Sequence, residues 1–235
     1  MDTKIIFEDK DIIILNKPSG VVVNRANTTK NPTLQDWLEK YLKLKDNGIG
    51  DRAGIVHRLD KPTSGVLIVA KSEQAFTNLQ RQFKERQTEK SYQCLVHGKL
   101  DIKKGQITAP VGRLPWNKER FGVLPGGRSA ETNYEVISYY KNNQGIYSLV
   151  NVFPKTGRTH QIRIHMKYLG YPLVADDFYA GRKTSRDDKE WCPRLFLHAK
   201  SIMFAHPKTG EKISFEAKLP HDLDKVLQKL TLLED

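Results

Sequence analysis

His57-Arg58-Leu59-Asp60-Lys61-Pro62-Thr63-Ser64-Gly65 places charged and turn-forming residues directly before Val66-Leu67-Ile68-Val69-Ala70, an unbroken apolar run of strand length. A polar loop entering such a strand is a poor core and a good place for chemistry. Ser72 then stands as a helix cap ahead of Phe76, Leu79 and Phe83, which share one helical face. The stretch therefore predicts loop, strand, turn and helix in that order.

Upstream, residues 5–7 and 12–15 flank Glu8-Asp9-Lys10-Asp11 and predict a hairpin. Lys17-Pro18-Ser19-Gly20 reads as a turn, and Val21-Val22-Val23 as another strand. Thr33 and Asp36 form a capping-box pattern before Leu34, Trp37, Leu38, Tyr41 and Leu42, whose spacing makes one apolar helix face. Residues 45–52 read as a loop. Downstream, residues 91–96, 130–140 and 146–153 predict strands, and residues 112–128 a basic insertion between them. A short helix is expected over 160–169, and a hairpin over 195–205 and 212–216. A closing helix after Pro220 would carry Leu223, Val226, Leu227 and Leu230. The polar segment 181–189 reads as mobile. Strands with few helices, joined mostly by hairpins, predict an α+β fold, taken as a single domain over residues 1–235.

The 235 residues are 38% hydrophobic, which excludes disorder of the whole chain. No apolar run approaches the roughly 20 residues of a membrane span, and the N-terminus lacks a signal-like apolar segment, so a soluble cytoplasmic protein is expected. Cys94 and Cys192 are far apart in sequence and form no CxxC pair, which leaves neither a disulfide framework nor a zinc site of ordinary spacing. With 39 Lys and Arg against 27 Asp and Glu, the net charge of +12 favours a polyanionic partner such as nucleic acid; surface solubility alone is the plainer alternative.

Three segments are candidates for chemistry. Asp60 lies between Arg58 and Lys61, whose charges favour its ionised form as a nucleophile or base, although an isolated Asp more commonly caps a turn. In Lys155-Thr156-Gly157-Arg158-Thr159-His160-Gln161-Ile162-Arg163-Ile164-His165, a turn runs into a helix rich in donors. Arg163 shares a face with His160, whereas His165 lies roughly 140° around the axis, so the two histidines are not a metal pair. Lys90-Ser91-Tyr92 heads a strand, where Tyr92 can stack on a base or simply pack.

In this order the segments resemble the RluA family of RNA pseudouridine synthases. Asp11-Ile12-Ile13-Ile14-Leu15-Asn16-Lys17-Pro18-Ser19-Gly20 is similar to the opening motif, residues 57–65 to the catalytic motif, and residues 157–165 to the third. Leu197-His198-Ala199 and His206-Pro207-Lys208-Thr209-Gly210 fit as well. The resemblance implies a central, largely antiparallel mixed sheet with flanking helices and a catalytic cleft. It makes Asp60 the catalytic aspartate, Tyr92 the residue at the target base, and Arg163 the cation paired with the aspartate. Arg58 would intrude where the target nucleotide leaves the stack. His57, Thr63, Arg158 and His160 are expected RNA contacts, and so on charge are Arg113 and Arg128, with Lys118 and Arg120 beside them. The resemblance implies ribosomal or transfer RNA as the partner and a reaction without cofactor or metal; for a domain of this size a monomer is the default expectation. No match to an S4-like RNA-binding domain precedes the opening motif, so the catalytic domain would supply most of the RNA affinity.

Rival classes lack their chemistry. A hydrolytic glycosidase needs a second carboxylate in the loop, and a nuclease needs clustered carboxylates; Asp176-Asp177 and Asp187-Asp188 exist but lie outside the recognised motifs. An RNA-binding assembly factor of the same fold is the stronger competitor.

Overall fold

The computed structural model describes residues 3–26, 29–44 and 49–234. Two compact units account for the chain, Met1–Lys90 with Ala199–Lys218, and Ser91–His198 with Leu219–Asp235. No described helix is long and apolar enough to cross a membrane.

In the first unit β1 (Lys4–Glu8), β2 (Ile12–Lys17) and β3 (Ser64–Ala70) form an antiparallel meander. β3 also neighbours β10 (Leu197–Ala205), which pairs with β11 (Lys212–Glu216). The interior position of β3 explains its uninterrupted apolar sequence, since all seven residues are buried. On one face Ile12, Ile14, Val66, Ile68 and Ala70 pack with Ala75, Phe76 and Leu79 of α2 (Glu73–Lys84). Ser72 caps α2 by accepting the Ala75 N–H, and Thr33 and Asp36 form the expected capping box on α1 (Leu34–Tyr41).

The expected strand at Val21-Val22-Val23 does not form. Its carbonyls are taken by other donors: Val21 by Lys17 Nζ at 3.0 Å, Val22 by the Leu34 N–H at 2.9 Å, and Val23 by the Gln35 N–H at 3.0 Å. Backbone acceptors serving a lysine and a helix start are not available to a sheet ladder. In the expected loop, residues 45–48 lie outside the described residues, and Ile49–Asp51 make one 3-10 turn.

The second unit is built on β4 (Glu89–His97), β9 (Gly145–Pro154) and β8 (Glu131–Asn142), antiparallel in that spatial order. Both β5 (Lys104–Thr108) and β12 (Thr231–Leu233) pair with β8. Strand alternation divides the core. Cys94, Val96, Val150 and Val152 face Ile162 and Met166 of α3 (Gln161–Tyr168), whereas Leu95, Tyr147 and Leu149 face Leu223 and Val226 of α5 (His221–Lys229). Both cysteines are buried, and burial raises their thiol pKa values, that of Cys192 to about 12, which suits packing and not nucleophilic chemistry.

Two expectations change here. The basic insertion folds as a hairpin of β6 (Val111–Leu114) and β7 (Asn117–Val123). The segment expected to be mobile contains α4 (Arg182–Asp188), a helix without an apolar face. Its helix is tied to the fold by polar bonds: the Ser185 hydroxyl donates to Asp177, and Asp188 Oδ2 accepts the Ala175 N–H at 2.8 Å and meets His97 Nε2 at 3.0 Å.

Candidate active site

The loop carrying Asp60 is clamped at the two residues that follow it. The Lys61 carbonyl accepts from the Gly20 N–H at 2.8 Å and from Lys17 Nζ at 3.3 Å, while the Ser19 hydroxyl donates to the Pro62 carbonyl at 2.7 Å. Lys17 is fully buried, and its ammonium also donates to the Pro18 and Val21 carbonyls at 2.8 and 3.0 Å. A buried cation held among carbonyls ties the turn after β2 to the loop before β3. Asp60 itself is half-buried, and its carbonyl accepts the Thr63 N–H at 3.0 Å, closing a tight turn. β3 starts at a close backbone approach: Gly65 has φ +118°, and a Cβ there would stand 2.1 Å from the Ala199 carbonyl oxygen.

The other expected residues of this loop divide by exposure. Arg58 is exposed and can reach a ligand. Thr63 is 2% exposed. His57 Nε2 accepts the Ile68 N–H at 2.9 Å, and its ring stacks on Phe83 with centroids 4.8 Å apart. Desolvation, helped by the charge of Lys90, pushes the His57 pKa down to about 3, so the imidazole is neutral and serves as an acceptor within the fold.

In the second unit Tyr92 lies on β4 opposite Val152 and packs at the edge of the core. Arg163 projects from α3 and is only 3% exposed. Its Nε and Nη2 fork onto Asp176, at 2.8 Å to Oδ2 and 2.7 Å to Oδ1, and Asp176 is fully buried. Asp176 Oδ1 also accepts the N–H groups of Phe178 and Tyr179, at 2.9 and 3.1 Å. The rings of Tyr179 and Phe178 lie 5.0 and 5.4 Å from the guanidinium carbon, within cation–π range. Asp176 thus belongs to the surroundings of a motif residue, although in sequence it lies outside the motifs.

The rest of the third motif holds the fold. Gln161 Oε1 accepts the Thr156 hydroxyl and the Arg158 N–H, and its Nε2 donates to the Glu131 carbonyl and to Thr132 Oγ1. His165 is buried between Thr132 Oγ1 at 2.8 Å and the Ala109 carbonyl at 3.0 Å, and desolvation lowers its pKa. His160 is the residue before α3, in the left-handed conformation at φ 55°, with Nδ1 2.9 Å from the Tyr179 hydroxyl. Arg158 Nε donates to the Ser129 carbonyl at 3.0 Å.

Arg113 and Arg128 are exposed, and Arg113 lies 5.2 Å over the Phe121 ring. The hairpin turn carries Trp116, 76% exposed, between Arg113 and Arg120, and this alternation of cations and rings suits nucleic acid. The Lys118 side chain lies outside what is described. Among the described residues one group, Asp9, Asp11 and His206, has ligand atoms close enough together for a metal. Its bonds are those of a locked turn: Asp9 Oδ1 accepts the N–H groups of Asp11 and Ile12, and His206 Nδ1 accepts those of Lys208 and Thr209. The imidazole proton therefore sits on Nε2 and is donated to Asp9 Oδ2 at 2.9 Å.

A model of the RNA pseudouridylate synthase family matches residues 11–168. The chain is 38% identical to the RNA pseudouridine synthase YlyB of Bacillus subtilis, over 98% of this chain and 73% of that protein. It is also 38% identical to the ribosomal large subunit pseudouridine synthase D of Nitrosomonas europaea, over 97% of this chain and 65% of that protein. Across eight such relatives the chain spans 65% to 73% of the relative's length. Among solved structures, human RNA pseudouridylate synthase domain containing 1 aligns with a TM-score of 0.78 at 27% identity, over 100% of this chain and 91% of that one.

Proposed function

Because the chain belongs to the RluA family of RNA pseudouridine synthases, we propose that it isomerises uridines of large-subunit ribosomal RNA in the cytoplasm, with Asp60 as its catalytic carboxylate. The observation that carries this reading is the ordered set of sequence motifs, the charged loop before β3 and the segment that carries Arg163 on α3 among them. The substrate class follows the printed names of relatives from Nitrosomonas, Pseudomonas and Zymomonas, 35% to 38% identical, each a ribosomal large subunit synthase.

The reaction breaks the bond between uracil N1 and ribose C1′, turns the base and joins C5 to C1′; C5 gives up its proton to solvent, and N1, freed from the sugar, takes one up and ends as N–H. Atoms and electrons balance without an oxidant or a group donor, so the chain's own side chains suffice. Asp60 supplies the carboxylate that drives detachment of the base, and Arg163 supplies the cation that the family resemblance pairs with it. Taking the uridine out of its stack costs on the order of a few kcal/mol. Arg58 filling the vacancy and Tyr92 stacking on the extruded base offset that cost. Arg113, Arg128, Arg158 and His160 hold the flanking backbone by charge and hydrogen bonds, while His57 and Thr63 shape the loop from behind.

The test is tritium release from RNA labelled at uridine C5, compared between wild type and Asp60→Asn, on separate ribosomal and transfer RNA fractions. Asp60-dependent release from large-subunit RNA is the expected result. Release confined to transfer RNA would move the substrate class. RNA binding by both proteins without release would favour an assembly factor.

A further inference from the structure

Resting on the reading of Arg163 as the cation of the reaction, we propose that Asp176 is a positioning residue for it, held in turn by Asp188. A guanidinium on a long side chain has several rotatable bonds, and a single contact leaves its plane undetermined. Asp176 removes that freedom by engaging one edge of the fork, Nε at 2.8 Å and Nη2 at 2.7 Å, which directs the Nη1 end away from Asp176. The guanidinium carbon also lies over the rings of Tyr179 and Phe178, 5.0 and 5.4 Å from their centroids.

The carboxylate is itself fixed by backbone. Oδ1 accepts the N–H groups of Phe178 and Tyr179, so the turn after Asp176 wraps around its own side chain. Ahead of it, Val174 is pinned on both sides, its N–H donating to the Leu95 carbonyl on β4 at 2.9 Å and its carbonyl accepting the Phe196 N–H at 3.1 Å. Between the two, Ala175 takes the left-handed conformation at φ 57°, unfavourable for a residue with a Cβ. What holds it there is Asp188, 1% exposed at the end of α4, whose Oδ2 accepts the Ala175 N–H at 2.8 Å and meets His97 Nε2 at 3.0 Å. His97, Asp188, the Ala175 turn, Asp176 and Arg163 thus form one chain of contacts from β4 to α3. The paired acidic residues, so plain in sequence, are two successive braces.

The experiment uses the full chain in single-turnover tritium release, separating the rate constant from the amplitude, with RNA affinity measured alongside. Asp176→Asn preserves shape but removes the charged fork, and its rate constant is expected to fall about 100-fold while the RNA dissociation constant stays within about threefold. Arg163→Met/Asp176→Asn is expected to be no slower than Arg163→Met, because the brace acts only through the arginine. A merely structural role would instead lower the amplitude and leave the rate constant of the reacting molecules unchanged, which overturns the proposal. So do multiplicative losses in the double variant. Should Asp176→Asn not fold, Asp188→Asn decides: a rate constant about tenfold lower supports the chain of braces, and a wild-type rate constant overturns it. Absence of release from wild type overturns the proposed activity and this inference together, whereas wild-type release with a fast Asp176→Asn overturns this inference alone.

Discussion

The neutral His57 makes the first unit sensitive to mild acid. Burial, helped by the nearby charge of Lys90, takes the ring from its ordinary value of 6.5 to about 3, and Nε2 accepts the Ile68 N–H. Between these two values the unfolded chain binds a proton that the folded one refuses, so stability is full above pH 6.5 and is lost as the pH falls. The slope attributable to His57 approaches about 1.4 kcal/mol per pH unit, and its loss at pH 5 is about 2 kcal/mol. Urea unfolding followed by circular dichroism at pH 7.5, 6.5, 5.5 and 5.0 measures it, with His57→Gln as the control. The glutamine carbonyl can accept the Ile68 N–H but cannot titrate, so the variant starts weaker by about 1 kcal/mol for the lost Phe83 stack and falls less steeply. His165 titrates with the same sign in both proteins and cancels in the difference. Parallel curves, differing by less than about 0.7 kcal/mol in their fall from pH 7.5 to 5.0, would refute the assignment of His57 as a neutral acceptor.

Other perturbations reach the loop from different sides. Lys17→Met leaves the Pro18 and Val21 carbonyls without their ammonium donor, which should cost about 2–5 kcal/mol in urea unfolding and slow tritium release; a cost below about 1 kcal/mol would mean that the clamp is dispensable. Gly65→Ala forces a Cβ to 2.1 Å from the Ala199 carbonyl oxygen, so a loss of more than about 3 kcal/mol is expected, and a thermal midpoint within a few degrees of wild type would show that the backbone yields easily. Arg58→Ala, at an exposed position, should leave stability within about 0.5 kcal/mol yet lower single-turnover release on structured RNA about tenfold. Equal rates for the variant on structured RNA and on a short single strand would contradict the intrusion role.

Much of the fold was legible because its signals are local. The buried run of β3, the capping box at Thr33 and Asp36, and the Ser72 cap are each decided by residues within a turn of one another. The misses share a different cause. Val21-Val22-Val23 has strand propensity, but its acceptors are claimed by Lys17 and by the start of α1, which no propensity can register. Residues 182–188 carry no apolar periodicity, and their helix is held by carboxylate bonds to His97 and to the Ala175 N–H, 91 and 13 residues away in sequence.

The site follows the same division. Asp60 and Arg163 stand out because charge within a turn or at a helix start is visible in a string of letters, whereas the residues that hold them are distant and read as ordinary. Lys17 looked like a turn lysine, and its burial is detectable only once three carbonyls converge on it. Asp176 looked like half of an acidic pair, and its meaning depends on a left-handed Ala175 and a partner 13 residues earlier on α3. Reactive groups can be recognised from their own neighbours, but the accuracy with which they are aimed is set by bonds that cross the fold. That is why a substitution one layer away from Arg163 is expected to change a rate constant while leaving RNA affinity almost untouched.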